Sequence, residues 1–385
     1  MPMNILNRHI LKNLLYVFAA ALLVLTFILV LGLMIKILSR MDSTVSQIFI
    51  FKMFLMLLPK ILAYAIPIAT LVSVTLVFSR MSAENEITAM RASGISLWQI
   101  VNPAILLALV SSGVLFYLNM FAVPHLEAQR KSMMKGELLT NPANFLRGGS
   151  TINLGKLTIN IGEKTSDGLL KDLRVIEKNH ANGMIANQLL AQEGRIIDVT
   201  DQSFTIEFSD VMILDNNWEF NEKEDGSRGD LQDVKVTRLP NANTTYTFYT
   251  NEELNSGSLR KRAKYLNIKE MMARLYLLKN TKEQNKSVRK EHTDLLYNLN
   301  KNLALAFSPL AFLLMALPFG LRSSRSETSA GLLVSLIVMM VYYATILLTG
   351  AFDKNSAMHP EVLVWVPNIL FQSLGLGLIA FKVNH

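Results

Sequence analysis

Apolar residues in this chain collect in long uncharged blocks at both ends, and a polar stretch separates the two groups of blocks. A helix needs about 20 apolar residues to cross roughly 30 Å of hydrocarbon. The pattern therefore predicts six membrane-spanning helices in a 3+3 arrangement. They are expected at about 13–35, 53–79, 97–123, 302–321, 328–352 and 362–381.

The central stretch, from about 148 to 250, has a different period. Apolar and polar residues alternate at 157–161 and at 204–208, and turn signals occur at 166–168, 182–183, 201–202 and 225–227. Many short strands with frequent turns predict an antiparallel sandwich or barrel. Two roles stay open for such a domain. Its edge strands can accept a strand from a partner, or it closes on itself and caps the membrane helices.

The helical period returns after this stretch. Asn267 can cap a helix, and Glu270 completes a capping box. One apolar face follows, at Ile268, Met272, Leu275 and Leu278. We expect a linker helix that leads the chain back to the bilayer.

The loop between the second and third spans predicts a short helix of its own, at about 82–94. Ser82 is suited to the N-cap, Glu84 and Glu86 to the first turn, Arg91 to the last turn and Gly94 to a left-handed end. An apolar stripe runs through this helix, and a second capping box opens the third span. The stripe is Ala83, Ile87 and Met90, and the box is Ser96 with Gln99.

Two interpretations of this helix follow from the residues. It docks in a groove of a soluble, force-producing partner and moves with its two spans, or it lies among lipid headgroups. The two glutamates disfavour the second interpretation, because helices on an anionic membrane surface are usually basic.

Three cations lie near or within the predicted spans. Lys36 and Arg40 are four residues apart at the outer end of the first span, and Lys60 lies inside the second. Long basic side chains near span ends often reach back to the interface. The alternative is a basic rim that attracts the phosphates of an anionic lipid. Lys60 is deeper, where an ionisable residue is a functional candidate.

Composition agrees with a membrane protein. The chain of 385 residues is 51% hydrophobic and 18% charged, which excludes disorder and is too apolar for an ordinary soluble domain. The net charge of +8 lies largely beside the apolar blocks, so we expect no nucleic-acid binding. Basic residues in the short loops predict that both termini are cytoplasmic and the β-domain is outside. The basic flanks of the β-domain disagree, but long loops are largely exempt from this rule.

Motifs for catalysis are missing from the sequence. There is no cysteine, no phosphate-binding loop, no zinc-protease or hydrolase motif, and the six histidines have no metal-ligand spacing. We therefore expect no enzyme, no metal and no bound cofactor. Paired acidic residues of a proton relay are also missing from the spans.

The order of three spans, a β-domain and three spans, together with the loop Glu84-Asn-Glu-Ile-Thr-Ala-Met-Arg-Ala-Ser-Gly-Ile-Ser96, resembles the LptF/LptG (YjgP/YjgQ) permease family. The segments Ile5–Lys12 and Ser308-Pro309-Leu310 are also similar to it. The resemblance covers essentially the whole chain.

The resemblance implies a non-catalytic permease subunit of the ABC transporter that extracts lipopolysaccharide from the inner membrane of Gram-negative bacteria. Two paralogues, LptF and LptG, pair, and a cytoplasmic LptB dimer binds and hydrolyses the ATP. The β-domain would be a periplasmic jelly roll that passes lipid to LptC and LptA.

The resemblance also implies roles for single residues. Glu84 and Glu86 would be acidic contacts of a coupling helix with the ATPase, and Arg91 and Gly94 would belong to the same ATPase-coupling site. The candidates for lipid binding are Lys36, Arg40 and Lys60. The loop is closer to LptF and Lys36 is closer to LptG, so the paralogue stays open. The implied domains are 1–124 with spans 1–3, 125–265 with the β-domain and 266–385 with the linker helix and spans 4–6.

A second function class is compatible with the same layout. A membrane sensor or scaffold could bind a ligand with its outer β-domain and recruit a signalling partner with its inner loop. Co-purification separates the two, because the permease requires a stoichiometric ATPase and the sensor does not.

Overall fold

The computed structural model divides the chain into two compact units. One contains 1–32, 54–128 and 261–385, and the other contains 33–53 and 129–260. The structure describes residues 5–38, 46–142, 145–146, 148–154, 157–165, 167–178, 185–200, 203–219, 230–239, 244–249, 265–280, 286–321, 328–351 and 359–384, apart from a few side chains within helices and strands.

Ten α-helices are numbered here in chain order among the described residues, and their bounds follow. They are α1 Ile5–Leu38, α2 Gln47–Ala83, α3 Glu86–Ala92, α4 Leu97–Tyr117, α5 Val123–Thr140, α6 Ile268–Lys279, α7 Lys286–Gly320, α8 Thr328–Ala351, α9 Pro360–Leu363 and α10 Val366–Asn384.

Apolar helices form the first unit, as the hydropathy pattern predicts. Among the described residues, five helical stretches are long and apolar enough to cross a membrane, and a shorter apolar stretch, Ser335–Thr349, lies within α8. One buried core joins these helices, and α3 contributes to it. Its members include Ile10, Leu14, Phe78, Ile87, Ile100, Phe312, Tyr342 and Phe371.

Close approach and buried hydrogen bonds hold the helices of this unit together. A Cβ added to Gly375 of α10 would lie 2.5 Å from the carbonyl oxygen of Leu314 in α7, so only glycine fits there. The Tyr342 hydroxyl donates to Asn368 Oδ1 at 2.8 Å, and Asn368 Nδ2 donates to the carbonyl of Ala304 at 2.7 Å. Both devices are typical of helices that associate in lipid, where apolar contact alone gives little driving force.

The third span does not end where the apolar pattern ends. A π-helical turn, Leu118–Ala122, joins α4 to α5, and the chain stays helical through Thr140. Such a turn disturbs the regular backbone ladder, and Asn302 Nδ2 donates to the carbonyl of Asn119 at 3.3 Å. The sequence pattern did not predict this turn.

One antiparallel sheet forms most of the second unit, which also includes the end of α1, the start of α2 and most of α5. The sheet confirms the predicted antiparallel β region. Neighbouring strands are sequential from β1 to β6, and β7 pairs with β5 alongside β6. The strands are β1 Thr151–Leu154, β2 Leu157–Lys164, β3 Leu170–Lys178, β4 Ile185–Thr200, β5 Ser203–Glu219, β6 Asp230–Leu239 and β7 Thr244–Tyr249.

Alternation decides which face of the sheet is buried. Leu157, Ile159 and Ile161 of β2 and Phe204 and Phe208 of β5 lie in the core. The predicted turn at 166–168 is present around Gly168, whose N–H donates to the carbonyl of Thr165 at 3.0 Å. The signals at 182–183, 201–202 and 225–227 lie outside the described residues.

A line of kinks crosses the sheet. Asp172 in β3 and Asp210 in β5 both have φ near +52°, a left-handed conformation that aspartate tolerates better than most residues. Pairing resumes on both sides of this line, with Leu173 opposite Ala191 and Lys171 opposite Glu193. Side chains from both sides of the line share one core. The sheet therefore bends over its own apolar face, while the jelly-roll topology stays a prediction.

The linker helix α6 begins as predicted. Glu270 N–H donates to Asn267 Oδ1 at 2.9 Å, and Asn267 N–H donates to the Glu270 carboxylate at 3.1 Å. The predicted apolar face of α6 is wrong at one position. Met271 is buried and Met272 is exposed, because the spacing 268, 271, 275, 278 keeps a single helical face toward the core.

Candidate functional site

The loop between α2 and α4 contains a separate helix, as predicted, but its start differs. α2 continues through Ala83, Ser82 is buried in its last turn, and Asn85 precedes α3 with φ near +58°. The predicted N-cap at Ser82 is therefore wrong. Met81 is also buried, so packing against the bundle keeps α2 helical past the residue with the best capping side chain.

The two glutamates consequently occupy different positions. Glu84 lies in the turn between α2 and α3, outside any helix, whereas Glu86 is in the first turn of α3 as predicted. Both side chains are exposed. A helix N-terminus favours negative charge, so Glu86 suits its place.

The end of α3 is a Schellman motif. Gly94 has φ near +86°, and its N–H donates to the carbonyl of Arg91 at 3.0 Å. Ile95 N–H donates to the carbonyl of Met90 at 3.1 Å, which completes the motif. Arg91 is in the last turn and exposed, as predicted. The predicted positions of Arg91 in the last turn and of Gly94 at a left-handed helix end are thus confirmed, while their part in ATPase coupling stays a prediction.

α4 starts with the predicted capping box immediately after this motif. Gln99 N–H donates to Ser96 Oγ at 3.4 Å, and Ser96 N–H donates to Gln99 Oε1 at 3.2 Å. Two capped ends within a few residues fix the angle between α3 and α4.

One face of α3 is anchored in the bundle. Ile87 is buried in the helical core, and Met90 and Ile95 pack against that core. Ala83 is exposed and does not contribute to this face. Glu86 and Arg91 flank this face, four residues from Met90 and Ile87 respectively, and both side chains are exposed. The helix is thus fixed to the bundle on one side and available to a partner on the other.

A cavity of about 400 Å³ lies next to α3, between α4, α7 and α10. Its lining is mostly apolar, with Arg91 as its charged side chain and Trp98, which is 69% exposed. The lining residues are Arg91, Gly94, Ile95, Ser96, Leu97, Trp98, Val101, Ile105, Leu313, Leu314, Leu317, Leu321 and Ile379.

Lys60 is held by an ion pair that the sequence pattern did not predict. Its Nζ donates to Glu127 Oε1, which joins α2 to α5. The Glu127 side chain is 10% exposed and that of Lys60 40%. The pairing gives Lys60 a structural role alongside the predicted one in lipid binding.

The other predicted lipid contacts are less defined. Lys36 lies in α1, but its side chain is outside the part that the structure describes, and Arg40 lies outside the described residues altogether.

A comparison with protein families gives a match over nearly the whole chain. The family described as lipopolysaccharide export system permease LptF/LptG matches residues 8–380. The chain belongs to the LptF/LptG family. Its apolar helices make it a multi-pass membrane protein.

A curated relative of this LptF/LptG chain is similar over a shorter stretch. It is the uncharacterized protein RP871 of Rickettsia prowazekii (strain Madrid E), 22% identical over 196 residues. That match covers 51% of this chain, and the chain spans about half the length of the relative, 50%. The relative's name assigns it no activity, so it adds none here.

Two residues of this region have features that bear on function and were not singled out from the sequence. Glu127 is an acidic residue close after the third apolar block, and that position alone could have suggested a partner for Lys60. Trp98 follows the start of α4, at a helix end where tryptophan is typical of a membrane interface. Among the described residues, no group of three or more His, Asp or Glu side chains could hold a metal ion.

Proposed function

We propose that this chain is a non-catalytic transmembrane subunit of an ABC transporter that extracts lipopolysaccharide from the inner membrane. A separate ATPase binds and hydrolyses the ATP. The observation that carries the proposal is α3, a capped helix with one face anchored in the bundle and an exposed charged face. Family membership supports lipopolysaccharide as the cargo.

The proposed topology has six spans in a 3+3 arrangement with both termini in the cytoplasm. Five helical stretches satisfy the length and composition of a span, and α8 supports a sixth as an apolar helix of 24 residues. The β-domain, at about 125–265, would be a periplasmic jelly roll. The antiparallel sheet, bent over its own core, supports this fold.

The proposed partners follow from the family. A paralogue, LptF or LptG, completes the permease, an LptB dimer supplies the energy, and LptC and LptA accept the lipid from the β-domain. An antiparallel sheet suits such a chain of acceptors, because edge strands pair readily with a further strand.

α3 would transmit the movement of the ATPase to the bundle. Glu84 and Glu86 would contact basic residues of the ATPase, and the capped ends at Gly94 and Ser96 would keep α3 and α4 moving together. Ile87 connects α3 to the same core as the other apolar helices. Closure of the ATPase dimer would then compress the cavity between the two permease halves and expel the lipid.

The double variant Glu84→Ala with Glu86→Ala tests the docking. Both side chains are exposed, so we expect a normally folded chain that retains much less ATPase during affinity purification from membranes. The matched control is Glu163→Ala with Glu193→Ala, two exposed carboxylates in the sheet unit, which should retain the ATPase fully. Equal retention by both double variants would refute the docking role of α3.

Ile87→Ala separates transmission from docking. The substitution removes the buried contact of α3 with the bundle and leaves its exposed face unchanged. We expect the ATPase to remain bound while lipopolysaccharide release per ATP hydrolysed falls. Unchanged coupling in reconstituted vesicles would show that α3 does not transmit the movement through this side chain.

We also propose that Lys36 and Arg40, and more weakly the paired Lys60, attract the phosphates of the lipid. Lys36→Glu should lower the lipid-stimulated ATPase activity, since it reverses the charge at the end of α1. Lys52→Glu, at an exposed position near the start of α2, is the matched charge reversal and should have the smaller effect. Equal activity of the two variants would contradict a lipid contact at Lys36.

A further inference from the structure

The cavity beside α3 lies at the level where several apolar helices end. Its lining includes Leu97, which begins α4, Leu321, which follows the end of α7, and Ile379, close to the end of α10. Trp98 is exposed at the same level. Tryptophan is enriched at the boundary between hydrocarbon and headgroups. The cavity is therefore placed at the surface of the hydrocarbon layer, on the side of the membrane that carries α3.

The lining suits an amphiphilic ligand with a negatively charged head group. Ten of the thirteen lining residues have aliphatic or aromatic side chains, and Arg91 is the charged one. A guanidinium binds phosphate oxygens through its planar fork of N–H donors.

The size of the cavity also suits a lipid chain. A volume of about 400 Å³ is in the range of sites that hold small organic ligands, which is roughly 300–1,000 Å³. A polar peptide would leave its backbone groups without partners against the leucine and isoleucine side chains of α7 and α10. An acyl chain has no such groups.

We propose that this cavity binds one acyl chain of an anionic glycerophospholipid of the leaflet that faces α3, with the lipid phosphate on Arg91. Among the described residues that line this cavity, none is a proposed contact of the transported lipid. Because Gly94, Ile95 and Ser96 line the cavity, a bound lipid braces the junction between α3 and α4. Anionic lipid in the membrane would then stiffen the element that is proposed to meet the ATPase.

Trp98 provides a direct probe of occupancy. The full chain is reconstituted without ATPase and without lipopolysaccharide into vesicles of phosphatidylcholine with a minor fraction of phosphatidylglycerol. Bromine, which quenches tryptophan fluorescence on contact, is placed on the acyl chains of one lipid or of the other. A Trp98→Phe variant gives the signal of Trp218 and Trp365, which is subtracted.

We expect brominated phosphatidylglycerol to quench Trp98 more than its share of the bilayer predicts. Arg91→Gln should reduce that preference by about fivefold, the effect of losing roughly one phosphate-binding cation at a membrane surface. Arg8→Gln is the matched control, an exposed arginine of α1 outside the cavity lining, and should keep the preference. Filling the cavity with Ile105→Trp, measured by native mass spectrometry of retained phosphatidylglycerol, should release the lipid while Arg91 is still present.

Four results would overturn the proposal. Quenching in proportion to bilayer composition would show that the cavity does not select anionic lipid. A preference that survives Arg91→Gln would remove the phosphate contact. Retention of the lipid by Ile105→Trp would show that no acyl chain enters. Protection of Trp98 from both brominated lipids once an ATPase is added would assign the cavity to the protein partner instead.

Discussion

The two units of this chain bury different kinds of side chain. The helical unit places serine, threonine and asparagine in its interior, and the sheet unit buries almost exclusively aliphatic and aromatic groups. Among the described residues, all but one of the buried polar or charged side chains belong to the helical unit, and the exception is Thr158 of β2. The helical set is Thr70, Ser73, Thr75, Ser82, Ser111, Ser112, Asn119, Glu127, Ser308, Ser335, Thr349 and Asn368.

The difference reflects the solvent around each unit. A sheet surrounded by water gains stability by removing apolar surface from it, so its core excludes polar groups. Helices in lipid gain little from that transfer and associate through close packing and hydrogen bonds. The hydroxyls of Thr70, Thr75 and Ser308 donate to backbone carbonyls of their own helices, which satisfies them without water.

Truncation of a buried phenylalanine in each unit tests this contrast and has the largest expected effect. Phe208 of the sheet and Phe312 of the bundle are both fully buried. Phe208→Ala should destabilise the sheet by about 3–5 kcal/mol, because transfer and cavity terms add. Phe312→Ala should cost less, on the order of 2 kcal/mol, because lipid removes much of the transfer term.

Hydrogen exchange of backbone amides in lipid nanodiscs measures the opening free energy of each unit separately. Protection in the strands should fall more after Phe208→Ala than protection in α7 falls after Phe312→Ala. The reverse order would mean that both cores are stabilised by the same force, and the contrast would be lost.

Close packing in the bundle is tested by two glycines of α10. Alanine at Gly375 meets the Leu314 carbonyl, whereas among the described atoms none lies within 4 Å of a Cβ at Gly377. Gly375→Ala should destabilise the bundle by about 1–3 kcal/mol, as overpacking does. Gly377→Ala should be neutral or slightly stabilising, since alanine is the better helix former. Thermal unfolding that responds equally to the two variants would argue against a fixed contact between α7 and α10.

The smallest effect is expected at the end of α3, a helix of the bundle unit with an exposed face. Gly94→Ala forces an alanine into the left-handed region, at a cost of about 1–2 kcal/mol. A Cβ at Gly94 meets no described atom within 4 Å, so the loss should be purely conformational. Exchange of the Ile95 amide should accelerate in Gly94→Ala. The Gly94→Asn variant should lose less stability than Gly94→Ala. An unchanged rate in Gly94→Ala would show that the Schellman motif does not stabilise α3.

Patterns that depend on neighbours in sequence were predictable. The alternation of apolar and polar residues at 157–161 and 204–208 correctly predicted strands, and the capping boxes at Ser96 and Asn267 correctly predicted helix starts. Each pattern involves residues within a few positions of one another. Gly94 ended α3 for the same reason.

Features that depend on distant contacts were not predictable. Ser82 has the side chain of an N-cap, but the bundle buries it and α2 runs on. Lys60 and Glu127 are 67 positions apart, so their pairing required the packing of α2 beside α5. The cavity beside α3 likewise combines residues of four helices. The loop between α2 and α4 contributes only one side of this cavity.

The kinks at Asp172 and Asp210 restrict how the β-domain can change length. They lie at one level in a ladder in which each strand is hydrogen-bonded to the next. Two residues inserted at a hairpin tip leave the bend aligned across the strands, whereas two residues inserted within a single strand shift that strand out of register with its neighbours. Homologous domains of different size should therefore grow at the hairpin tips, and an engineered epitope belongs there rather than in mid-strand.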